Sequence, residues 1–338
     1  MLTIVPVSGE RLGDYGDDIL GERSRPRRAE QLGTWRGKGA ELLGLRGPVE
    51  REQFLRLLKG LSPNGNTRLG SDAMDPRRQS GWALTFSAPK SVSVLWTLAP
   101  EDSHKKIEMM HRVGVEQARS FLEEAIAASL NNHEPGQRVN LVFTALHRNI
   151  SARNDPELCT RLVLANVAVS REGNISPLEG MQLFGHRKLA DSYYQVHVRE
   201  ELRRELNLAT ESELGSFHVV GVPKELCREL SRGHFNGVDP GNGTHVTEIK
   251  SGSFTQSGLF EDWQKVGETL GWGRNEAAAL IIRASDDWGS LLERNKGKQH
   301  DSGASQEQTR STSNEPTKGS SRGKSLLNSN DHEIEQSH

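Results

Sequence analysis

The chain has 338 residues, a formal net charge of −2, 34% hydrophobic residues and a mean hydropathy of −0.64. That length accommodates one large domain or two ordinary ones, and the low hydropathy implies that part of the chain is unfolded. The near-neutral charge excludes a global positive field, so any nucleic-acid site is a local patch. In chain order, Leu2–Val7 reads as a strand and Val49–Gly60 as a helix whose apolar face is Phe54, Leu55, Leu57 and Leu58. Trp82–Phe86 is a strand, Ser87–Lys90 a turn, and Ser91–Trp96 either another short strand or the start of a helix. Ser103–Leu130 is a long amphipathic helix, with Ile107, Met110, Val113, Ala118, Phe121, Leu122, Ala125 and Ile126 at helical spacing. Val139–Leu146 and Leu158–Val169 are strands rich in branched residues. Leu183–Leu206 is a helix in which Tyr193 and Tyr194 pack, Ser216–Val220 a strand leading to a helix near Pro223, and Phe260–Ser285 one or two short helices. The alternation is that of an α+β fold.

From Arg294 to Ser325 the only aliphatic residue is Ala304, too little apolar surface to offset the entropy of ordering the chain. The expected organisation is therefore a folded region, 1–288, and a disordered Ser/Gly/polar tail, 289–338. Cys159 and Cys227 form no disulfide framework and no zinc spacing, which points to a reduced, cytoplasmic setting. Cys227 reads as a small buried residue. No apolar run approaches the ~18 residues of a membrane span. MLTIVPVSG (Met1–Gly9) lacks the basic start and long apolar core of a signal peptide.

Two segments carry candidate phosphate chemistry. Ser87-Ala-Pro-Lys90 combines hydroxyls, a lysine and backbone N–H groups in a compact turn. That is the make-up of a phosphate-holding turn, and also of an ordinary tight turn. TWRGKGAE (Thr34–Glu41) sets Trp35 between Arg36 and Lys38 in a Gly-rich turn, where a base can stack on the indole while the cations meet phosphate. The alternative is a tryptophan capping the core. The basic run Arg23, Arg25, Arg27, Arg28 and the stretch Gly185–Lys188 are weaker candidates of the same kind.

The wording TFSAPKSVSVLW (Thr85–Trp96) resembles the signature of the MobF-type (TrwC/TraI-like) conjugative relaxases. Leu32–Val49, Arg148–Asn166 and Leu183–Leu206 resemble further segments of that family in the family's order, and the likeness covers about residues 1–285. The resemblance implies an antiparallel sheet with helices packed on it, cradling single-stranded DNA. It also implies an enzyme that nicks one strand of plasmid DNA and holds the 5′ end on a tyrosine, aided by a divalent metal such as Mg or Mn. A bound metal polarises phosphate oxygens, and a carboxylate orients its histidine ligands.

By that resemblance Tyr15 stands at the family's first tyrosine pair as a single residue, either the nucleophile or an exposed tyrosine in a Gly/Asp-rich loop. The second pair, expected near Arg23–Arg28, is absent. The three ligand positions carry Arg148, Cys159 and Arg161, and the aspartate position two residues before Thr85 is Ala83. Arginine has only N–H donors, so no cofactor is expected at these positions. His147 is one residue out of step, which turns it to the other face of a strand. A site rebuilt from His147, Cys159 and a distant histidine such as His186 is the alternative. Arg148 and Arg161 are instead the residues best shaped to bind a DNA phosphate by bidentate hydrogen bonds.

The expected protein is a relaxase-like α+β domain that binds single-stranded DNA or an origin hairpin, with metal-dependent nicking impaired or lost, a pseudoenzyme. Its partners also include an active relaxase or conjugation accessory proteins, and no membrane. The alternative is an active DNA-nicking transesterase working through Tyr15. The residues expected to meet DNA are Trp35, Arg36, Lys38, Ser87, Lys90, Arg148 and Arg161.

Overall fold

The computed structural model describes residues 1–12, 33–70, 72–131, 139–151, 153–170, 175–178, 180–232 and 256–285, all within one unit, Met1–Trp288. The tail from Gly289 lies outside the described residues. The strands are β1 (Leu2–Ser8), β2 (Thr34–Arg36), β3 (Gln79–Ser87), β4 (Val139–Ile150), β5 (Pro156–Ser170), β6 (Ile175–Ser176), β7 (Thr210–Glu213) and β8 (Ser216–Val219). The helices are α1 (Lys38–Leu42), α2 (Arg51–Leu58), α3 (Lys90–Leu98), α4 (Glu101–Asn131), α5 (Gly180–Leu206), α6 (Lys224–Glu229), α7 (Gln256–Thr269) and α8 (274–285).

An antiparallel sheet in the order β1-β3-β5-β4-β2, with β6 added beside β5, organises the unit. Side chains alternate across it, and each face has its own core. On the first face Trp82, Leu84, Phe86, Phe143, Ala145, Leu162 and Leu164 join the main core with α3, α4 and α5. On the second face Ala83, Val142, Val163, Ala165 and Val167 pack against Trp35, Phe54, Leu57 and Leu58 in a smaller core. That second core covers only part of its face. Beyond the row Ala83–Val163–Thr144–Trp35 come the half-buried Thr85, Arg161, Ser87 and Arg148.

The buried stripe of α4 is Ile107, Met110, His111, Gly114, Val115, Ala118, Arg119, Leu122, Glu123 and Ile126. It differs from the expected stripe in leaving out Val113, Phe121 and Ala125 and taking in polar members. Arg119 and Glu123 are buried because they pair at 2.6 Å, and Glu123 also accepts from the Lys38 and Leu141 N–H groups. Gly114 is where α4 and α5 cross: a Cβ there would stand 2.6 Å from Val198.

Ser91–Trp96 is helical, part of α3. Every residue from Ser91 to Leu98 is buried, which erases the periodicity that separates helix from strand. The Gly-rich turn expected at Thr34–Glu41 is in fact strand β2 followed by helix α1. A hairpin of β7 and β8 stands where the sequence pattern shows only the second strand. No helix among the described residues is long and apolar enough to cross a membrane.

Candidate nucleic-acid interface

Strand register assembles the site. Ser87 lies opposite Cys159, and Cys159 opposite Arg148, so the three form one row across β3, β5 and β4. The next row is Thr85, Arg161 and Leu146. Arg148 and Arg161 are therefore diagonal neighbours on one face, about 7–8 Å apart at the backbone, with Cys159 beside both. Cys159 is buried and forms no disulfide. Two guanidiniums thus share one patch of sheet, with the Glu157 carboxylate bonded to Ser87 on the same face.

The residues at the positions where the resemblance implies metal ligands, Arg148, Cys159 and Arg161, do not fit a metal ion. Two of the three are arginines, which offer no lone pair. They would repel a divalent ion at about 5 Å by several kcal/mol at an effective dielectric of ~20. The rebuilt alternative is not assembled either. His147 bonds Thr160, opposite it across β4 and β5, on the helix-covered face, whereas Cys159 lies on the other face. His186 stands beside Ser129 and Phe121. Among the described residues no group of three or more His, Cys, Asp or Glu side chains can hold a metal ion. Ala83 is 5% exposed within the second core, so its position serves packing.

The Ser87 and Lys90 side chains of the turn bond within the fold. Ser87 donates to Glu157 at 3.0 Å, and Lys90 Nζ donates to the Pro156 carbonyl at 3.0 Å. The Ser91 and Ser93 hydroxyls accept from the Val219 and Leu158 N–H groups. Burial lowers the Lys90 pKa, against the opposing pull of Asp155 and Glu157. A phosphate at this turn would face those two carboxylates.

The TWRGKGAE segment is divided by the alternation of β2. Trp35 is 5% exposed and packs on Phe54, so it caps the second core and offers no ring face for a base. Arg36 is exposed on the opposite, helix-covered side, opposite Phe143. Lys38 opens α1 and is exposed. Arg36 therefore does not share a face with Arg148 and Arg161. Tyr15 and Arg23–Arg28 lie outside the described residues.

Sequence reasoning missed a buried polar chain directly behind the arginine patch. Thr160, between Cys159 and Arg161 in β5, bonds His147 Nδ1 at 2.7 Å and His111 Nε2 at 2.9 Å. His111 Nδ1 in turn meets the Tyr194 hydroxyl at 2.8 Å. Burial, and then neighbouring positive charge, depresses the His111 pKa to about 3 and the His147 pKa to about 4. Burial raises that of Tyr194. Two signals stood in the sequence: the i, i+3, i+4 stripe of α4 passes through position 111, and alternation puts Thr160 opposite in sense to Cys159. Tyr194 is fully buried as expected, but Tyr193 is 43% exposed and stacks on Phe121 at 4.3 Å. Gly185–Lys188 lies within α5, where Arg187 donates to the Leu2 carbonyl. Cys227 is buried, which pushes its thiol up to about 11.

Comparisons with known proteins agree with this architecture. The family model described as TrwC relaxase matches residues 22–234, more than half of the chain. The multifunctional conjugation protein TraI of Escherichia coli is 31% identical over 211 residues, 59% of this chain and 12% of that protein. TraI of E. coli strain K12 is 30% identical over 205 residues, 56% of this chain and 11% of that protein. The chain thus spans about an eighth of the length of these relatives. Among solved structures, the conjugative relaxase TrwC in complex with oriT DNA, in its metal-bound form, superposes with a TM-score of 0.64 at 23% identity. That match covers 81% of this chain and 100% of the other. TrwC with a 27-mer DNA comprising the recognition hairpin and the cleavage site gives a TM-score of 0.62 at 23% identity, with the same coverage. At that identity the likeness establishes the fold.

Proposed function

Because the chain belongs to the TrwC relaxase family, we propose that it binds single-stranded DNA of a transfer origin, or its hairpin, without metal-assisted nicking. Arg148 and Arg161 hold a backbone phosphate at the positions where the family resemblance implies metal ligands. The observation that carries this reading is the diagonal placement of the two arginines on one partly open face of the sheet. Guanidiniums so placed can each donate two parallel hydrogen bonds to non-bridging phosphate oxygens. One solved relative named above was captured with oriT DNA and the other with a 27-mer DNA comprising the recognition hairpin and the cleavage site, which supports the choice of ligand.

In this reading the arginines position a strand and neutralise its charge, and nothing polarises the scissile phosphate as a divalent ion does. The test is to incubate the protein with a single-stranded origin oligonucleotide and Mg²⁺ or Mn²⁺, then denature it. The expected result is binding that EDTA leaves unchanged and no covalent protein–DNA adduct. An adduct that disappears in Tyr15→Phe would replace this reading with that of a nicking transesterase.

A further inference from the structure

The buried chain behind the arginine patch ends at a second cluster of donors on the opposite face of the sheet. Thr34 lies opposite Ala145, so His147, two residues further along β4, is its diagonal neighbour on the same face. Arg36 is on that face as well, opposite Phe143 and four residues from His147 along the strand direction. His111 reaches Thr160 from α4, and the charge of the next residue, Arg112, acts on His147. β2 pairs with β4 only over Phe143–Ala145, so the edge of β4 at His147 lies beyond it. Among the described residues the Arg36 side chain makes no hydrogen bond or ion pair, and the Thr34 hydroxyl has no partner. Arg112 is bridged to Glu108, the one carboxylate among the described residues that pairs with the cluster.

The hydrogen bonds fix what His147 offers. A buried donor needs an acceptor, and the Tyr194 hydroxyl has only His111 Nδ1 within reach among the described residues, so it donates there. His111 Nε2–H then donates to Thr160, and the one Thr160 proton goes to His147 Nδ1. The remaining His147 proton sits on Nε2, which bonds to nothing among the described residues. The imidazole is thus a neutral N–H donor of fixed direction, within the electrostatic reach of Arg112 and Arg36. The low pKa of about 4 is consistent with this form across the physiological range.

We propose that His147, Arg36 and Arg112 form a second phosphate-binding site, at the edge of β4 beyond its pairing with β2, on the helix-covered face of the sheet. It goes beyond the function proposed above and uses different side chains on the other face. Its ligand is a phosphate group, whether free or carried by a nucleic-acid backbone. Because the His147 donor is neutral, the ligand's charge is met by the two arginines alone.

The test follows the His147 side-chain resonances in ¹⁵N-histidine-labelled full-length protein during titration with inorganic phosphate, and separately with a single-stranded oligonucleotide. The expected result is a saturating shift of His147 with phosphate, weakened by up to about five-fold in Arg36→Ala and in Arg112→Ala. If a nucleic-acid backbone is the source, the oligonucleotide saturates the same shift at lower concentration, and Arg36→Ala lowers its salt slope by about 0.7. The shift should persist in Arg148→Ala/Arg161→Ala, which separates this site from the first. No shift with either ligand, a shift indifferent to both single substitutions, or loss of the shift in the double variant would overturn the proposal.

Discussion

His147 and Arg148 are consecutive in β4 yet serve opposite faces of the sheet. His147 bonds Thr160 beneath the helices, while Arg148 stands opposite Cys159 on the other side. That one-residue step separates the only histidine near the family's first ligand position from the patch that would need it. It also explains how a polar network and a cationic patch coexist within one turn of the pleat: each occupies its own face.

Restoring histidine at Arg148, Cys159 and Arg161 together should create a divalent-ion site. Cross-strand pairing and i, i+2 alternation converge those three positions on one face. Calorimetry with Mn²⁺ should detect binding in the triple variant and none in the parent. The variant should also lose single-strand affinity measured in EDTA. A triple variant that ignores Mn²⁺ would mean the register does not bring the three side chains together.

Trp35→Phe separates a core role from a stacking role. Removing part of a side chain packed on Phe54 should lower stability by roughly 1–3 kcal/mol. DNA affinity of the folded variant should be unchanged. A loss of affinity without a loss of stability, measured by anisotropy and urea unfolding, would return the indole to the interface.

Most of the fold was legible because its elements carry clean periodicity. The stripe of α4 and the branched runs of β4 and β5 each have a single reading. α3 was ambiguous because it is buried all round, and β2 was hidden because three residues between glycines carry no pattern. At the site, the positions of Arg148 and Arg161 were legible from motif spacing. The internal use of Ser87 and Lys90 was not, since their partners Glu157 and Pro156 lie about seventy residues away. The chain from Tyr194 through His111 to His147 joins three separate elements, which no local pattern reveals.

Stability should fall in acid below about pH 6.5. His111 and His147 are held neutral in the fold, at about 3 and about 4, against an ordinary value of 6.5. Between those values the unfolded chain binds more protons, so stability rises with pH and levels off above 6.5. The slope is at most about 1.4 kcal/mol per pH unit for each histidine. Urea unfolding at pH 7, 6 and 5 should show this decline, and His111→Phe should flatten it if the variant folds. Equal stability at all three pH values would contradict the buried network.

Gly37→Ala should cost about 2 kcal/mol or more. Gly37 has φ +91°, and a Cβ there would stand 2.5 Å from the Leu141 carbonyl oxygen. The glycine lets β2 turn into α1 against β4, so thermal unfolding should register the loss. An unperturbed melting temperature would show that this close approach is not required.

The most direct measurement is fluorescence anisotropy of a labelled single-stranded oligonucleotide across a salt series in EDTA, with the parent protein and with Arg148→Ala/Arg161→Ala. The prediction is parent binding that is the same with Mg²⁺ and with EDTA. The double variant should bind more weakly, with a salt slope flatter by about 0.7 for each phosphate that is no longer neutralised. Unchanged affinity and slope in the variant, or parent binding that collapses in EDTA, would contradict a phosphate held by these two arginines.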